Sequence, residues 1–211
     1  NGPYQGKFGS WYLTEADEKE VQLYRKSLTV GASALCLGML PAFVPNLDAN
    51  LAAWWTDACF IAGVASLFVS LQTIHIYMKP LHNALKAVYG AGVAGSLIIA
   101  LTHSGHMISV AETEPLSLLA TGWIFVACTG LFFKENICFA KWESLGLTLL
   151  TPVLCLGHFF GWLPKEAEQA LLGAIGASAV IFILSKFKMP VTSDLGDKSV
   201  FEYLASQKQD A

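Results

Sequence analysis

Histidines are the side chains of this sequence best suited to hold a cofactor, because few other ionisable residues occur inside its apolar segments. His158 lies in the run Leu-Gly-His-Phe-Phe-Gly-Trp, whose glycines would leave room for a flat macrocycle and whose aromatic rings could stack beside it. A neutral imidazole can ligate a metal through one nitrogen while the other bonds a backbone carbonyl. His158 is therefore predicted either to ligate such a group or to hydrogen-bond a neighbouring helix.

A second histidine and a glutamate lie at ends of apolar segments. His75 lies at the end of the second segment, where it could ligate a pigment or haem, or be an ordinary interface residue. Glu135 lies among Lys134, Lys141 and Glu143 between the fourth and fifth segments. Its carboxylate could form a salt bridge or ligate the magnesium of a chlorophyll, and the alternative is a solvated turn that carries positive charge.

The opposite end of the third segment carries a group of possible metal ligands. His103 and His106 are three residues apart, a spacing that puts both on one face of a helix, and Glu112 follows. Two imidazoles and a carboxylate are adequate ligands for zinc or another divalent ion. The pattern is unspecific, since polar residues are expected at a helix end. Asp57, just inside the second segment, is a lesser candidate.

The composition indicates a membrane protein. Mean hydropathy is +0.51, 54% of the residues are apolar and only 14% are charged, whereas soluble domains have about 25% charged residues. Such a chain has too few charges to cover a water-exposed surface. The net charge of −3 and the lack of a basic tract make nucleic acid a poor candidate partner.

Apolar segments are spaced along the chain as in a protein that crosses the bilayer repeatedly. Each is about long enough to span the hydrocarbon core, and polar or turn-rich connections separate them. The six segments cover residues 28–44, 53–77, 84–101, 116–133, 145–163 and 167–185. The predicted fold is therefore all-α. It has a soluble or interfacial segment over 1–26, a six-helix transmembrane domain over 27–186 and a soluble tail over 187–211.

The distribution of positive charge predicts the orientation. With six spans, twelve of the 13 Lys and Arg residues lie on one side and Lys165 alone lies on the other. The twelve are Lys7, Lys19, Arg25, Lys26, Lys79, Lys86, Lys134, Lys141, Lys186, Lys188, Lys198 and Lys208. Positive loops stay on the cytoplasmic side or its equivalent, so both termini are expected in the cytoplasm or stroma.

Both terminal segments carry helix signals. Thr14, followed by Glu15 and Asp17, predicts a helix start, because the threonine hydroxyl can cap free amides and the acids face the positive end of the helix dipole. In the tail, Val200, Phe201 and Leu204 fall on one helical face and could dock on a partner.

Enzymatic activity is not predicted. The sequence has no GxSxG, HExxH or P-loop motif, and the middle of each predicted span lacks charged residues. A carrier for a neutral solute or a metal ion that uses His103, His106 and Glu112 is one alternative function. A haem-binding electron carrier that uses His158 is another.

Several short sequence motifs along the chain occur together in a known family. They are residues 4–9 (YQGKFG), 20–25 (EVQLYR), 73–77 (TIHIY), 132–139 (FFKENICF), 156–158 (LGH) and 194–201 (DLGDKSVF). As a set, they resemble an uncharacterised integral-membrane family of cyanobacteria and of plastid-bearing algae and plants. The resemblance spans nearly the whole chain. That family has no assigned activity, so it supplies no catalytic residue.

The resemblance implies a location and a role. It implies a photosynthetic membrane, the thylakoid, with both termini in the stroma. A small protein there would serve as an accessory or assembly subunit of a photosynthetic supercomplex, with photosystem I favoured and other membrane subunits and lipids as partners. His158, His75, Glu135 and His103 would then be candidate axial ligands of chlorophyll, and grooves between the helices would hold carotenoid or lipid.

Overall fold

The computed structural model describes residues 2–139 and 142–209. Lys141, one of the charges behind the predicted orientation, lies outside the described residues. The described chain is almost entirely helical, with one short antiparallel hairpin at its N-terminus. The elements are β1 (Tyr4–Gly6), β2 (Gly9–Trp11), α1 (Glu15–Gly38), α2 (Ala49–Thr73), α3 (Lys79–Thr102), α4 (Leu118–Thr121), α5 (Trp123–Phe139), α6 (Trp142–Phe159), α7 (Lys165–Phe187), α8 (Val191–Leu195) and α9 (Lys198–Gln209).

The helix start predicted at Thr14 is confirmed. The Thr14 hydroxyl accepts a hydrogen bond from the Asp17 amide at 3.2 Å, and the Asp17 carboxylate accepts one from the Thr14 amide at 2.8 Å. This reciprocal pair satisfies two backbone donors at the start of the helix. From there α1 runs without a break to Gly38, so the predicted interfacial helix and the first apolar segment form one helix.

Long apolar helices support an integral membrane protein. Among the described residues, four stretches are long and apolar enough to cross a bilayer: Glu15–Phe43, Ala49–Thr73, Lys79–Thr102 and Lys165–Phe187. A fifth exists if Pro115–Thr121 and Trp123–Cys138, which meet at 61°, count as one broken span. The structure thus gives four or five candidate spans where the sequence predicted six.

The bend in the fourth apolar segment occurs at Gly122. A Cβ atom there would clash with the carbonyl oxygen of Leu118, so the chain needs glycine at this position. The fifth predicted segment corresponds to α6, an 18-residue helix that contains Glu143, Pro152 and His158 and is not among these candidate spans. Six spans stay a prediction.

The helices pack around a common core. α1 lies along α2 and also contacts α7; α7 packs on α6, α6 on α5 and α5 on α3. The core side chains include Leu28, Leu71, Leu131, Leu147 and Phe182. On α3, Gly92 and Gly95 allow the backbone around Ala120 and Ile124 to approach closely. This arrangement brings the ends of α5 and α7 to the N-terminal half of α1, beneath the two terminal segments.

The terminal segments are folded against each other. The hairpin of β1 and β2, which the sequence did not predict, contacts α9. Phe201 in α9 packs against Tyr77 with ring centroids 4.6 Å apart. Phe201, one residue of the helical face proposed to dock on a partner, therefore packs within the same chain.

Candidate functional site

Six polar side chains meet in the interior where the ends of α5 and α7 lie beside the N-terminal half of α1 and near α8. This set, called the ion cluster here, consists of Tyr24, Arg25, Lys134, Glu135, Lys186 and Asp194. All are buried. Charges in such a place are stable only when each is paired and hydrogen-bonded. The cluster is thus the strongest polar feature of the described structure.

Glu135 is at the centre of the ion cluster. One of its oxygens accepts a hydrogen bond from the Tyr24 hydroxyl at 2.7 Å and lies 3.2 Å from the ammonium of Lys134. The other accepts a hydrogen bond from Lys186 at 2.5 Å. This geometry is the salt bridge that the sequence offered as one option. Ligation of a magnesium ion by Glu135 would have to displace one of these partners.

Asp194 attaches the C-terminal segment to the membrane helices. It pairs with Lys186 of α7 and accepts a hydrogen bond from the Arg25 Nε of α1 at 2.7 Å. Arg25 also donates to the carbonyl oxygens of Met189 and Pro190, at 3.0 and 3.1 Å. The only arginine of the sequence therefore fixes the turn that leads from α7 into α8.

Above the ion cluster, the two termini form one surface. This terminal platform consists of the hairpin (Tyr4–Trp11), the connection 74–78 and α9. Asp197 accepts a hydrogen bond from the Lys7 amide at 2.6 Å, and Ser199 accepts one from the Phe8 amide at 3.1 Å. The rings of Phe8 and Tyr203 stack with centroids 4.0 Å apart. The Ser199 hydroxyl and the Lys7 amide hold the pKa of Asp197 below its usual value.

His75 lies at the edge of the terminal platform. Its ring is 3.7 Å from the Glu20 carboxylate and 6.1 Å, centroid to centroid, from Phe201. Burial lowers the pKa of His75, and the nearby Glu20 acts in the opposite direction. Within residues 2–139 and 142–209, its ring makes no hydrogen bond. His75 is thus a predicted ligand whose ring contacts Glu20 without a hydrogen bond.

His158 is engaged through both ring nitrogens. Nδ1 lies 2.7 Å from the Glu168 carboxylate, and Nε2 lies 2.7 Å from the carbonyl oxygen of Ala111. A carbonyl can only accept, so Nε2 is the donor in that bond. These contacts tie the end of α6 to the start of α7 and to the connection after α3. They match the hydrogen-bonding alternative for His158, and a metal would have to displace one of them.

The structure does not assemble His103, His106 and Glu112 into one site. His103 Nε2 lies 3.2 Å from Glu114, whereas His106 Nδ1 lies 2.7 Å from Asp57. In the part of the chain that the structure describes, no three His, Cys, Asp or Glu side chains are grouped closely enough to hold a metal ion.

Asp57 forms a second buried polar site, at the opposite end of the bundle. One of its oxygens accepts hydrogen bonds from the amides of Met107 and Ser109, at 3.2 and 3.0 Å. The other accepts from the Ser109 hydroxyl and contacts His106, both at 2.7 Å. Asp57 is only 2% exposed. The sequence could have indicated this site, because a carboxylate inside an apolar helix needs partners.

Comparison with known proteins gives a family and no function. A family model described as "Uncharacterized integral membrane protein (DUF2301)" matches residues 69–203. That region begins in α2, ends in α9 and includes Glu135, Lys186 and Asp194 of the ion cluster. No curated protein and no solved structure matches the chain significantly. The predicted kind of family is confirmed, while its occurrence in cyanobacteria and plastids stays a prediction. The chain belongs to the DUF2301 family of uncharacterised integral membrane proteins.

Proposed function

We propose that this protein is a non-catalytic accessory or assembly subunit of a photosynthetic supercomplex in the thylakoid membrane, with photosystem I as the favoured partner. The observation that carries the proposal is the terminal platform, a folded surface fixed to the membrane helices by the ion cluster. Its function in this view is to present a rigid contact surface to neighbouring subunits. Ordered tails of this kind suit a protein that acts by binding other proteins.

The exposed side chains of the platform support this role. Phe8 and Tyr203, which stack on each other, remain 45% and 41% exposed, and Met78 in the connection 74–78 is 64% exposed. Aromatic residues and methionine are enriched at protein–protein interfaces. Because the aromatic pair is held in place before binding, a partner would lose little conformational entropy on contact.

A topology with six spans and both termini in the stroma belongs to the same proposal. The span that completes the count of six is α6. It has 18 residues, which corresponds to about 27 Å of helix. Large aromatic side chains are exposed at both of its ends, Trp142 at one and Phe160 and Trp162 at the other, as in the aromatic belts of membrane proteins. The contact between Lys7 and Asp197 supports a shared compartment for the two termini.

The pigment part of the proposal rests on His75. Its ring has no hydrogen bond within the described chain and lies near the predicted membrane interface, where it could ligate the magnesium of a chlorophyll. Carotenoid would occupy apolar grooves between the helices. A His75→Ala variant should lose chlorophyll, whereas His82→Ala, which removes a histidine bonded to the Leu71 carbonyl at 2.6 Å, should retain it.

Native isolation tests the role in a supercomplex. In mild detergent, the wild-type protein should migrate with photosystem I and carry bound pigment. Met78→Arg should reduce this comigration about tenfold or more, because it places a charge in the contact surface. The matched control, Glu114→Arg at the opposite end of the bundle, should behave as wild type. Free migration of the wild-type protein without pigment would contradict the proposal.

A further inference from the structure

An apolar chamber lies inside the helix bundle. It has a volume of about 230 Å³ and is bounded by α1, α2, α5, α6 and α7. Among the described residues that line it, none is charged. A chamber of this kind excludes a charged ligand, because an unpaired charge in it would lose its hydration without compensation. An occupant has to be neutral.

The walls of the chamber are rich in aromatic rings. Phe60 and Phe125 are 6.2 Å apart between centroids, and Phe132 and Phe182 are 5.6 Å apart with their planes at 86°. All four rings line the chamber. Aromatic surfaces at such spacing favour a flat, conjugated group that can make offset or edge contacts with them.

Two hydroxyl groups in the wall, those of Ser66 and Thr151, make no hydrogen bond within the described residues. The Ser66 side chain, whose residue is only 7% exposed, lines the chamber, and its hydroxyl group is the one that lies on α2. Ser70, one turn further along α2, differs because it bonds Ser27 at 2.8 Å and the Ser66 carbonyl oxygen at 3.0 Å. Buried hydroxyl groups normally have a partner. The Ser66 hydroxyl is therefore a donor available to an acceptor oxygen inside the chamber.

The chamber borders a groove on the outer surface of the bundle. This groove, of about 400 Å³, runs along α1 and α2 and shares Ala34 and Cys59 with the chamber wall. Sites for whole small-molecule ligands usually have about 300 to 1,000 Å³. The chamber alone is thus suited to a head group, and the groove gives a path by which an attached chain can lie against the helices.

We propose that the chamber binds a neutral lipid of the isoprenoid quinone class. A carbonyl oxygen of the flat head accepts a hydrogen bond from Ser66, the phenylalanine rings enclose the head, and the prenyl chain leaves along the groove between α1 and α2. This inference stands on the chamber alone and is independent of the association with a photosystem.

A binding experiment with delipidated protein in mild detergent tests the inference. The probe is a benzoquinone that carries one isoprene unit, and the readout is saturable binding by titration. Leu154→Phe, which fills the chamber, should weaken binding at least tenfold. The matched control Val153→Phe, at a neighbouring position that is exposed, should leave it unchanged. Ser66→Ala should weaken binding about two- to tenfold, the effect of one neutral hydrogen bond.

Three results would overturn the inference. They are no saturable binding by the wild-type protein, unchanged binding by a folded Leu154→Phe variant, and equal competition by oleate or hexadecane. If Leu154→Phe does not fold, a photoreactive azidoquinone is used with the wild-type protein. Labelling of chamber residues such as Phe60 or Leu154 supports the site, and labelling confined to lipid-facing residues contradicts it.

Discussion

The ammonium of Lys186 lies 2.5 Å from the Glu135 carboxylate, and neither side chain has any exposed surface. The pair joins the ends of α7 and α5, and Asp194 on the other side of Lys186 extends it to α8. A buried pair of this kind contributes little compared with a well-packed apolar pair, but the loss of one partner is costly. The ion cluster therefore fixes where the C-terminal segment lies.

Removal of the Lys186 charge should destabilise the protein strongly. Lys186→Met leaves Glu135 and Asp194 buried without their shared partner, which should cost about 3 to 5 kcal/mol. Thermal unfolding in detergent should shift down by at least about 6 °C. Lys188→Met, at an exposed position two residues away, is the control and should leave the midpoint unchanged. A Lys186→Met midpoint equal to wild type would contradict the structural role of the pair.

The sequence predicted part of this site. Glu135 was identified as a residue that could form a salt bridge, since charged residues surround it in the chain. The sequence did not indicate that Lys186 and Asp194 belong to this site. Lys186 is typical of a positive charge at a helix end, and it lies 51 residues from Glu135. Only the packing of α5 against α6 and α6 against α7 brings the side chains together.

The hydrogen bonds of Asp197 should hold the two termini together. Asp197→Ala removes the acceptor of the Lys7 amide and of the Ser199 hydroxyl, so the platform should open. Energy transfer between dyes attached at residues 10 and 207 should then decrease. Asp210→Ala, a nearby carboxylate in the sequence, serves as the control and should not change it.

The same contact should depend on pH. Because the pKa of Asp197 is lowered in the folded protein, its contribution is complete above the usual carboxyl pKa and is lost as the pH falls through the lowered value. Energy transfer should be constant from pH 7 to about 5 and decrease below about 4. The decrease below pH 4 should be smaller in Asp197→Ala, and an identical pH profile in both proteins would contradict the role of Asp197.

Asp57 should fix the connection after α3. Asp57→Ala would leave the amides of Met107 and Ser109 and the Ser109 hydroxyl without their acceptor. Loss of bonds to a charged acceptor should lower the free energy of unfolding by about 2 to 4 kcal/mol. Hydrogen exchange of residues 103–112 should become faster. Asp48→Ala, which removes only a helix cap, should cost about 1 kcal/mol and should not affect that exchange.

At the opposite end of the bundle, the partners of the histidines differ from those that the sequence predicted. His103 and His106 were grouped because they are three residues apart, but α3 ends at Thr102 and the chain then turns, with Ser104 and Gly105 at positive φ. Helical spacing no longer applies beyond that point. His106 therefore meets Asp57 of α2, while His103 stays beside Glu114. His158 is likewise engaged by groups that are distant in sequence.

The proposed topology predicts a labelling pattern. In a background without the five native cysteines, cysteines at positions 10 and 207 should react with a membrane-impermeant maleimide from the same side. A cysteine at position 113 should react only from the other side. Reaction of positions 10 and 207 from opposite sides would contradict the six-span topology.

Site-specific photocrosslinking in intact thylakoids tests the central claim, that the terminal platform binds a photosynthetic complex. A photoreactive amino acid is placed at position 78 in the platform and, as a control, at position 114 at the other end of the bundle. Position 78 should crosslink to a photosystem I subunit in high yield, and position 114 should not. Crosslinks from position 78 to lipid alone, or the same products from both positions, would contradict it.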